Sequence, residues 1–382
     1  MQGRDDERRP KAAAVVEARD LGADAALAGP GEPEQRNVAQ NVYAALDLGT
    51  NNCRLLIAKP TRRGFHVIDA FSRIVRLGEG VAASGQMSEQ AMTRAIDALR
   101  VCQTKIVRQR VSRSMMVATE ACRVAGNGPE FIGRVRDELG LDIEILSRED
   151  EAKLAVCGCA SLIDVESDNA MVFDIGGGSS ELIWLHLERR QGYWRRSLAD
   201  RLDAHTCISA WTSLPVGVVS MAEKFDGRNV TNESFEAMVA SVTRLIEPFE
   251  AEHRIAEQIA RGRVHLLGTS GTVTTIAGIL LGLPRYDRNR VDGCWLSTPD
   301  VRAVTASLLA RSYAERVAEP CIGTERADLV LAGCAILEAL LRMWPAERLR
   351  VADRGLREGI LATLMAADGH FRERGIRRGP QR

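Results

Sequence analysis

Residues 172–181, VFDIGGGSSE, limit what this chain can become more than any other stretch. A short apolar run from Met171 breaks there into an aspartate, three consecutive glycines, two hydroxyl residues and a carboxylate. With no side chains at Gly176, Gly177 and Gly178, the backbone can fold tightly and aim its N–H groups at an anion. Asp174 precedes that turn, where its carboxylate could hold a divalent cation or order a metal-bound water beside a phosphate. A glycine triplet alone reads equally well as a tight turn capped by Asp and Ser. A second copy shifts the balance. Residues 43–59, YAALDLGTNNCRLLIAK, superpose on it without a gap when Asp47 is laid on Asp174. Gly49 then falls on Gly176, and Thr50, Asn51 and Asn52 fall on Gly177, Gly178 and Ser179. Both copies have the pattern of a β-hairpin: apolar strand, Asp-x-Gly turn, second apolar strand. A third glycine and hydroxyl turn, with Gly268 and Ser270 in VHLLGTSGTVTTIAG from Val264, runs into an apolar stretch of helix length. Two related hairpins across a cleft, with a third turn, suit a chain of phosphates better than they suit a core.

These turns, in this order, resemble the superfamily of sugar kinases, heat-shock chaperone ATPases and actin. Within it the chain is most like the exopolyphosphatase and guanosine pentaphosphate phosphohydrolase (Ppx/GppA) family, in its short two-domain form. The further pieces that match are ATEACRVAGN at Ala118, SREDEAKLA at Ser147, SLPVGVVSMAEKF at Ser213, RADLVLAG at Arg326 and DRGLREG at Asp353. The likeness spans residues 43–365. It implies an α/β fold of two actin-like (ribonuclease H-like) domains flanking an interdomain cleft. It implies phosphoanhydride hydrolysis with Mg²⁺ or another divalent cation, for which Asp47, Asp174 and Glu181 are the candidate ligands. Glu151 matches the family's general base, in a Glu-Ala-Arg sequence that reads Glu151, Ala152 and Lys153 here. Asp353 and Arg357 match positions near the cleft mouth. Longer family members carry a further C-terminal region associated with processive polyphosphate handling, which argues against high processivity here.

With 45% hydrophobic and 27% charged residues, 382 residues are ample for two domains each with a core. Lys plus Arg equals Asp plus Glu at 51 each, whereas a nucleic-acid binder would show an excess of cations. The close cysteines, Cys157 and Cys159, fit neither a zinc pattern nor a redox CxxC and read as buried thiols in a reducing compartment. The charged start, MQGRDDERRP, is no secretory signal, and no apolar run approaches membrane-spanning length. A cytoplasmic protein without nucleic-acid or membrane partners is expected, and apolar positions on the last helices allow a homodimer.

The expected organisation is a mobile extension over residues 1–40, a first domain over 41–165, a second over 166–368 and a basic tail over 369–382. C-terminal helices of the second domain would pack back on the first. VIDAFSRIVRLGEG reads as a strand pair ending in glycine, and residues 87–108 as a helix capped by Ser88. The strand over residues 114–118 delivers Thr119, Glu120 and Arg123 at its carboxyl end, where ligands bind in open α/β sheets. Arg123 can pair with a carboxylate at the surface, but beside two anion-seeking turns it reads better as a phosphate clamp. Glu149, Asp150 and Glu151 occupy the first turns of a helix capped by Ser147, where acids suit the positive end without any chemistry. The function of Glu151 therefore rests on the resemblance. Residues 235–258 read as a helix that Pro248 should bend or break, with His253 exposed beyond it. PRYDRNR at Pro284 offers three arginines as a track for a polyanion.

The function expected first is release of terminal phosphate from inorganic polyphosphate, with Arg54 and Arg123 neutralising charge. Removal of the 5′-phosphate of guanosine pentaphosphate is the same chemistry, and the motifs do not separate the two. A sugar or acetate kinase would need an acceptor site and an aspartate base between the turns, where an arginine and a glutamate cluster stand instead. A sensor that binds polyphosphate or alarmone without turnover would not need the acids at Asp47, Asp174 and Glu151. Asn52 and Cys53 nevertheless replace the serine-like residues often found in the first turn.

Overall fold

The computed structural model describes residues 41–62, 64–164, 166–187, 203–261 and 263–371. The expectations for residues 1–40 and for the tail beyond Phe371 fall outside them. The fold is built on two strands that are buried on both faces, β1 (Tyr43–Leu48) and, later in the chain, Asn169–Ile175. Residues 43–46 have no exposed surface, as suits a central strand with layers above and below it. β2 (Asn52–Thr61) returns antiparallel along β1, and β3 (Gly64–Ile74) antiparallel along β2. β4 (Arg113–Ala118) then lies parallel to β1, and the short β5 (Glu144–Ile145) parallel to β4, giving the order β3-β2-β1-β4-β5.

The second sheet repeats this scheme. β6 (Asn169–Ile175), β7 (Ser180–His186) and β8 (Ile208–Leu214) form the antiparallel part, and β9 (Val264–Thr269) lies parallel to β6. β10 (Trp295–Ser297) and β11 (Arg348–Ala352) complete the order β10-β11-β9-β6-β7-β8, in which β11 is parallel to β9. The fold is therefore α/β with two actin-like sheets, each set by a hairpin and extended by parallel strands, with β10 added antiparallel at the edge of the second.

Three expectations need correction. VIDAFSRIVRLGEG is not a strand pair: residues 67–74 belong to the single strand β3, and Val75 and Leu77 are buried after it. Pro248 does not break its helix, which runs Asn232–His253 and stops only at Arg254, whose φ of 51° is left-handed. His253 is partly covered, edge-on to the Phe249 ring at 4.8 Å. The helix Val330–Met343 is buried all the way round from Val330 to Leu341.

The last helix, Leu356–Ala367, packs on β1 and on the Arg148–Cys159 helix, with Ile360, Leu361, Leu364 and Met365 in one cluster with Tyr43, Ala45 and Leu56. Two glycines permit that approach. A Cβ on Gly158 would lie 1.9 Å from the Gly355 carbonyl oxygen, and one on Gly359 would lie 2.0 Å from that of Leu154. The halves are also tied directly: Arg76 forms a two-pronged ion pair with Asp328, at 2.8 and 3.0 Å, and the Gly80 N–H donates to Glu223 at 2.8 Å. Among the described residues no helix is long and apolar enough to cross a membrane.

Candidate active site

β1 and β6 each run into the cleft and end in a turn closed by the same bond. The Gly49 N–H donates to the Asn52 carbonyl at 2.9 Å, and the Gly176 N–H to the Ser179 carbonyl at 3.0 Å. The two turns meet. A Cβ on Gly177 would lie 3.0 Å from Thr50 Cβ and 3.1 Å from the Asn51 nitrogen, and one on Gly178 would lie 2.7 Å from Thr50 Oγ1. Glycine is needed here to let one backbone approach another. Beside this contact lies one cavity of about 810 Å³.

Asp47, Gly49, Thr50, Asn51, Asn52 and Arg54 line that cavity from the first sheet, and Asp174, Gly176, Gly177, Gly178, Ser179, Glu181 and Ser270 from the second. Glu151 joins them from the start of the Arg148–Cys159 helix, whose Ser147 cap accepts from the Asp150 N–H at 3.1 Å. The acids and turns expected to act together are thus in one place. Two expected site residues are not among the lining. Arg123 is no free clamp: its Nε donates to the Leu146 carbonyl at 2.9 Å, its Nη1 to Glu120 at 2.6 Å and its Nη2 to Glu151 Oε2 at 2.6 Å. Its charge is spent on carboxylates, so it orients Glu151. Gly268 is a packing residue in β9, where a Cβ would lie 2.7 Å from the Phe173 ring. Of the PRYDRNR arginines only Arg288 reaches the cavity, and it is paired with Glu358 at 2.6 Å.

Burial raises the pKa of Asp47, Asp174, Glu181 and Glu151, by removing the water that favours the ionised form. Burial pushes Asp47 up while Arg54 and Arg357 pull it back. Burial also pushes Asp174 up, against a hydrogen bond from the Ser270 hydroxyl. Ser270 holds that position with a φ of 75°, a left-handed conformation that costs a non-glycine residue energy and is typical of functional turns. Glu181 is pushed up to about 7, first by burial and then by Asp174, although it accepts from Ser179 at 2.7 Å and Ser213 at 3.0 Å. Glu151 is held well above the usual carboxylate range by burial and by Glu181, with Arg123 opposing. Arg54 and Arg357 line the cavity with no hydrogen-bond or ion-pair partner among the described residues, and the longer-range charges of Asp47 and, for Arg357, Glu358 act on them. Arg73, at the end of β3, also lines it and was missed, because a strand-end arginine carries no motif.

Among the described residues no three acidic, histidine or cysteine side chains converge tightly enough to hold a metal ion by themselves. Hard carboxylate oxygens on Asp47, Asp174 and Glu181 nevertheless fit Mg²⁺, which is commonly held by one or two carboxylates and completed by water and substrate phosphates.

The family profile described as the Ppx/GppA phosphatase family matches residues 56–367. A guanosine-5′-triphosphate,3′-diphosphate pyrophosphatase of Photobacterium profundum is 28% identical over 349 residues, covering 88% of this chain. The chain spans 62% of that relative's length. Among solved structures, an Aquifex aeolicus member of the Ppx/GppA family is 27% identical with a TM-score of 0.67, over 86% of this chain and 99% of that one. An exopolyphosphatase-like protein is 28% identical with a TM-score of 0.73, over 85% and 99%.

Proposed function

We propose, from the premise that the chain belongs to the Ppx/GppA phosphatase family, that it hydrolyses terminal phosphoanhydride bonds, with inorganic polyphosphate as its first substrate. The observation that carries the reading is the meeting of both aspartate turns and Glu151 in a single cavity that also holds Arg54 and Arg357. Backbone N–H groups of the turns would hold the terminal phosphates, and the two guanidiniums would neutralise the next ones. Glu151 Oε2 is tied to Arg123, leaving Oε1 to accept the proton of a water that attacks the terminal phosphorus. The bridging P–O bond then breaks and its electrons leave with the shortened chain. Mg²⁺ on Asp47, Asp174 or Glu181 would supply charge neutralisation on the phosphoryl oxygens.

A polyphosphate suits a wall rich in arginine on which Tyr286 is the one aromatic among the described lining residues, with its hydroxyl engaged by Asp353 at 2.7 Å. The name of the Photobacterium relative favours a second reading, guanosine pentaphosphate, by the same chemistry. Phosphate release should be compared on long-chain polyphosphate and on guanosine pentaphosphate at equal phosphate concentration. A higher kcat/KM on the polymer supports the first reading, a higher value on the nucleotide replaces it with the second, and release from neither removes both.

A further inference from the structure

We infer that Glu120 is a positioning residue for water activation: it fixes Arg123 so that this guanidinium grips Glu151 through one carboxylate oxygen only. The inference rests on the reading of Glu151 as the base. Glu120 is a carboxylate with its side chain 7% exposed, lying between two guanidiniums. Its Oε2 accepts from Arg123 Nη1 at 2.6 Å and from Arg148 Nε at 3.2 Å, and its Oε1 accepts from Arg148 Nη2 at 2.7 Å.

Every edge of the Arg123 guanidinium is thereby assigned: Nε to the Leu146 carbonyl, Nη1 to Glu120 and Nη2 to Glu151. A planar guanidinium held at three points cannot rotate, so Glu151 Oε2 is fixed and Oε1 is left for the water. Were the Glu120 charge removed, Arg123 would keep only a neutral acceptor there and Glu151 would become its one charged partner, and a guanidinium with two N–H groups available matches a carboxylate bidentately. Both Glu151 oxygens would then be engaged, which removes the oriented lone pair. The charges balance in the intact arrangement, with Glu120 and Glu151 against Arg123 and Arg148.

Glu120 also carries the contact between the halves. A Cβ on Gly178 would lie 3.1 Å from Glu120 Cγ, so the second turn rests on the stem of the residue that sets the base. The competing view is a buried ion network that only shapes the fold. The two views differ in kinetics: a fold-shaping network, once disturbed, changes stability or substrate binding, whereas a positioning residue lowers kcat and leaves KM alone.

The test is steady-state kinetics of the full chain on polyphosphate and guanosine pentaphosphate, with Glu120→Gln, Arg148→Gln, Arg123→Lys, the Glu120→Gln/Arg123→Lys double variant and Glu151→Gln. Glu120→Gln is expected to lower kcat by about tenfold to a hundredfold with KM within about twofold, and to add no further loss in the Arg123→Lys background. Wild-type kcat in Glu120→Gln, or a fully additive loss in the double variant, overturns the inference while a dead Glu151→Gln leaves the base reading standing. Wild-type kcat in Glu151→Gln instead overturns the base reading. Should Glu120→Gln fail to fold, Arg148→Gln decides: it leaves Glu120 free to swing and is expected to lower kcat about threefold, and wild-type kcat there overturns the inference.

Discussion

The hairpin at Asp47 and the hairpin at Asp174 share strand order, turn closure and register, yet they present opposite charge. In the first, the residue across from the aspartate is Arg54; in the second it is Glu181. The same backbone position therefore supplies a cation on one side of the cavity and an acid on the other. Arg357, brought over by the last helix, adds to the cationic side, and Glu151 adds to the acidic side. Two copies of one scaffold thus turn opposite charge to the cavity, through one cross-strand residue in each.

The largest effect should come from the acidic face. Glu151→Gln is expected to lower kcat by about a hundredfold or more, the range for loss of a general base, with binding retained. Because a base acts only when ionised and burial raises the Glu151 pKa, kcat should rise with pH well above the range of an ordinary glutamate. A kcat that is flat from acid to neutral pH in the wild type would separate Glu151 from the rate-limiting proton transfer.

Next comes the contact between the turns. Gly178→Ala pushes a methyl into Thr50 Oγ1, and overpacking of about 1–3 kcal/mol should lower kcat/KM by roughly tenfold or more. Gly49→Ala, at the start of the other turn, meets the Asn52 carbonyl oxygen at 3.4 Å, Asp47 Oδ1 at 3.8 Å and Thr119 Oγ1 at 3.9 Å, all ordinary contacts, and should stay within about twofold of wild type. Equal losses in the two variants would show that the turns do not differ in the way their contacts suggest.

The cationic face should give a smaller change, confined to binding. Losing one charge-assisted hydrogen bond, about 1.5–3 kcal/mol, predicts that Arg357→Gln raises KM by roughly tenfold while kcat changes less. A selective fall in kcat would move Arg357 from holding substrate to assisting the reaction.

Much of this was legible in the sequence because it is local. The two hairpins and the Ser88 and Ser147 caps each follow from a short run of residue types, and the structure places them where those runs lie. What was misread depends on distant partners. Nothing near Arg123 in sequence reveals that Glu151 and Glu120 consume its charge, and nothing in Val264 to Thr269 shows Gly268 pressed on the Phe173 ring. Pro248 misled because a proline inside a long helix can be tolerated when the remainder of the helix is packed, as it is here by Phe249.

The ties from Arg76 to Asp328 and from Gly80 to Glu223 join the two halves directly. A substrate that can enter only when these ties are broken has an apparent dissociation constant equal to the intrinsic one divided by the fraction of time spent open. Avidity for a long polymer would then depend on this clasp, whose Arg76 also donates its backbone N–H to the Asn51 carbonyl of the first turn at 3.0 Å.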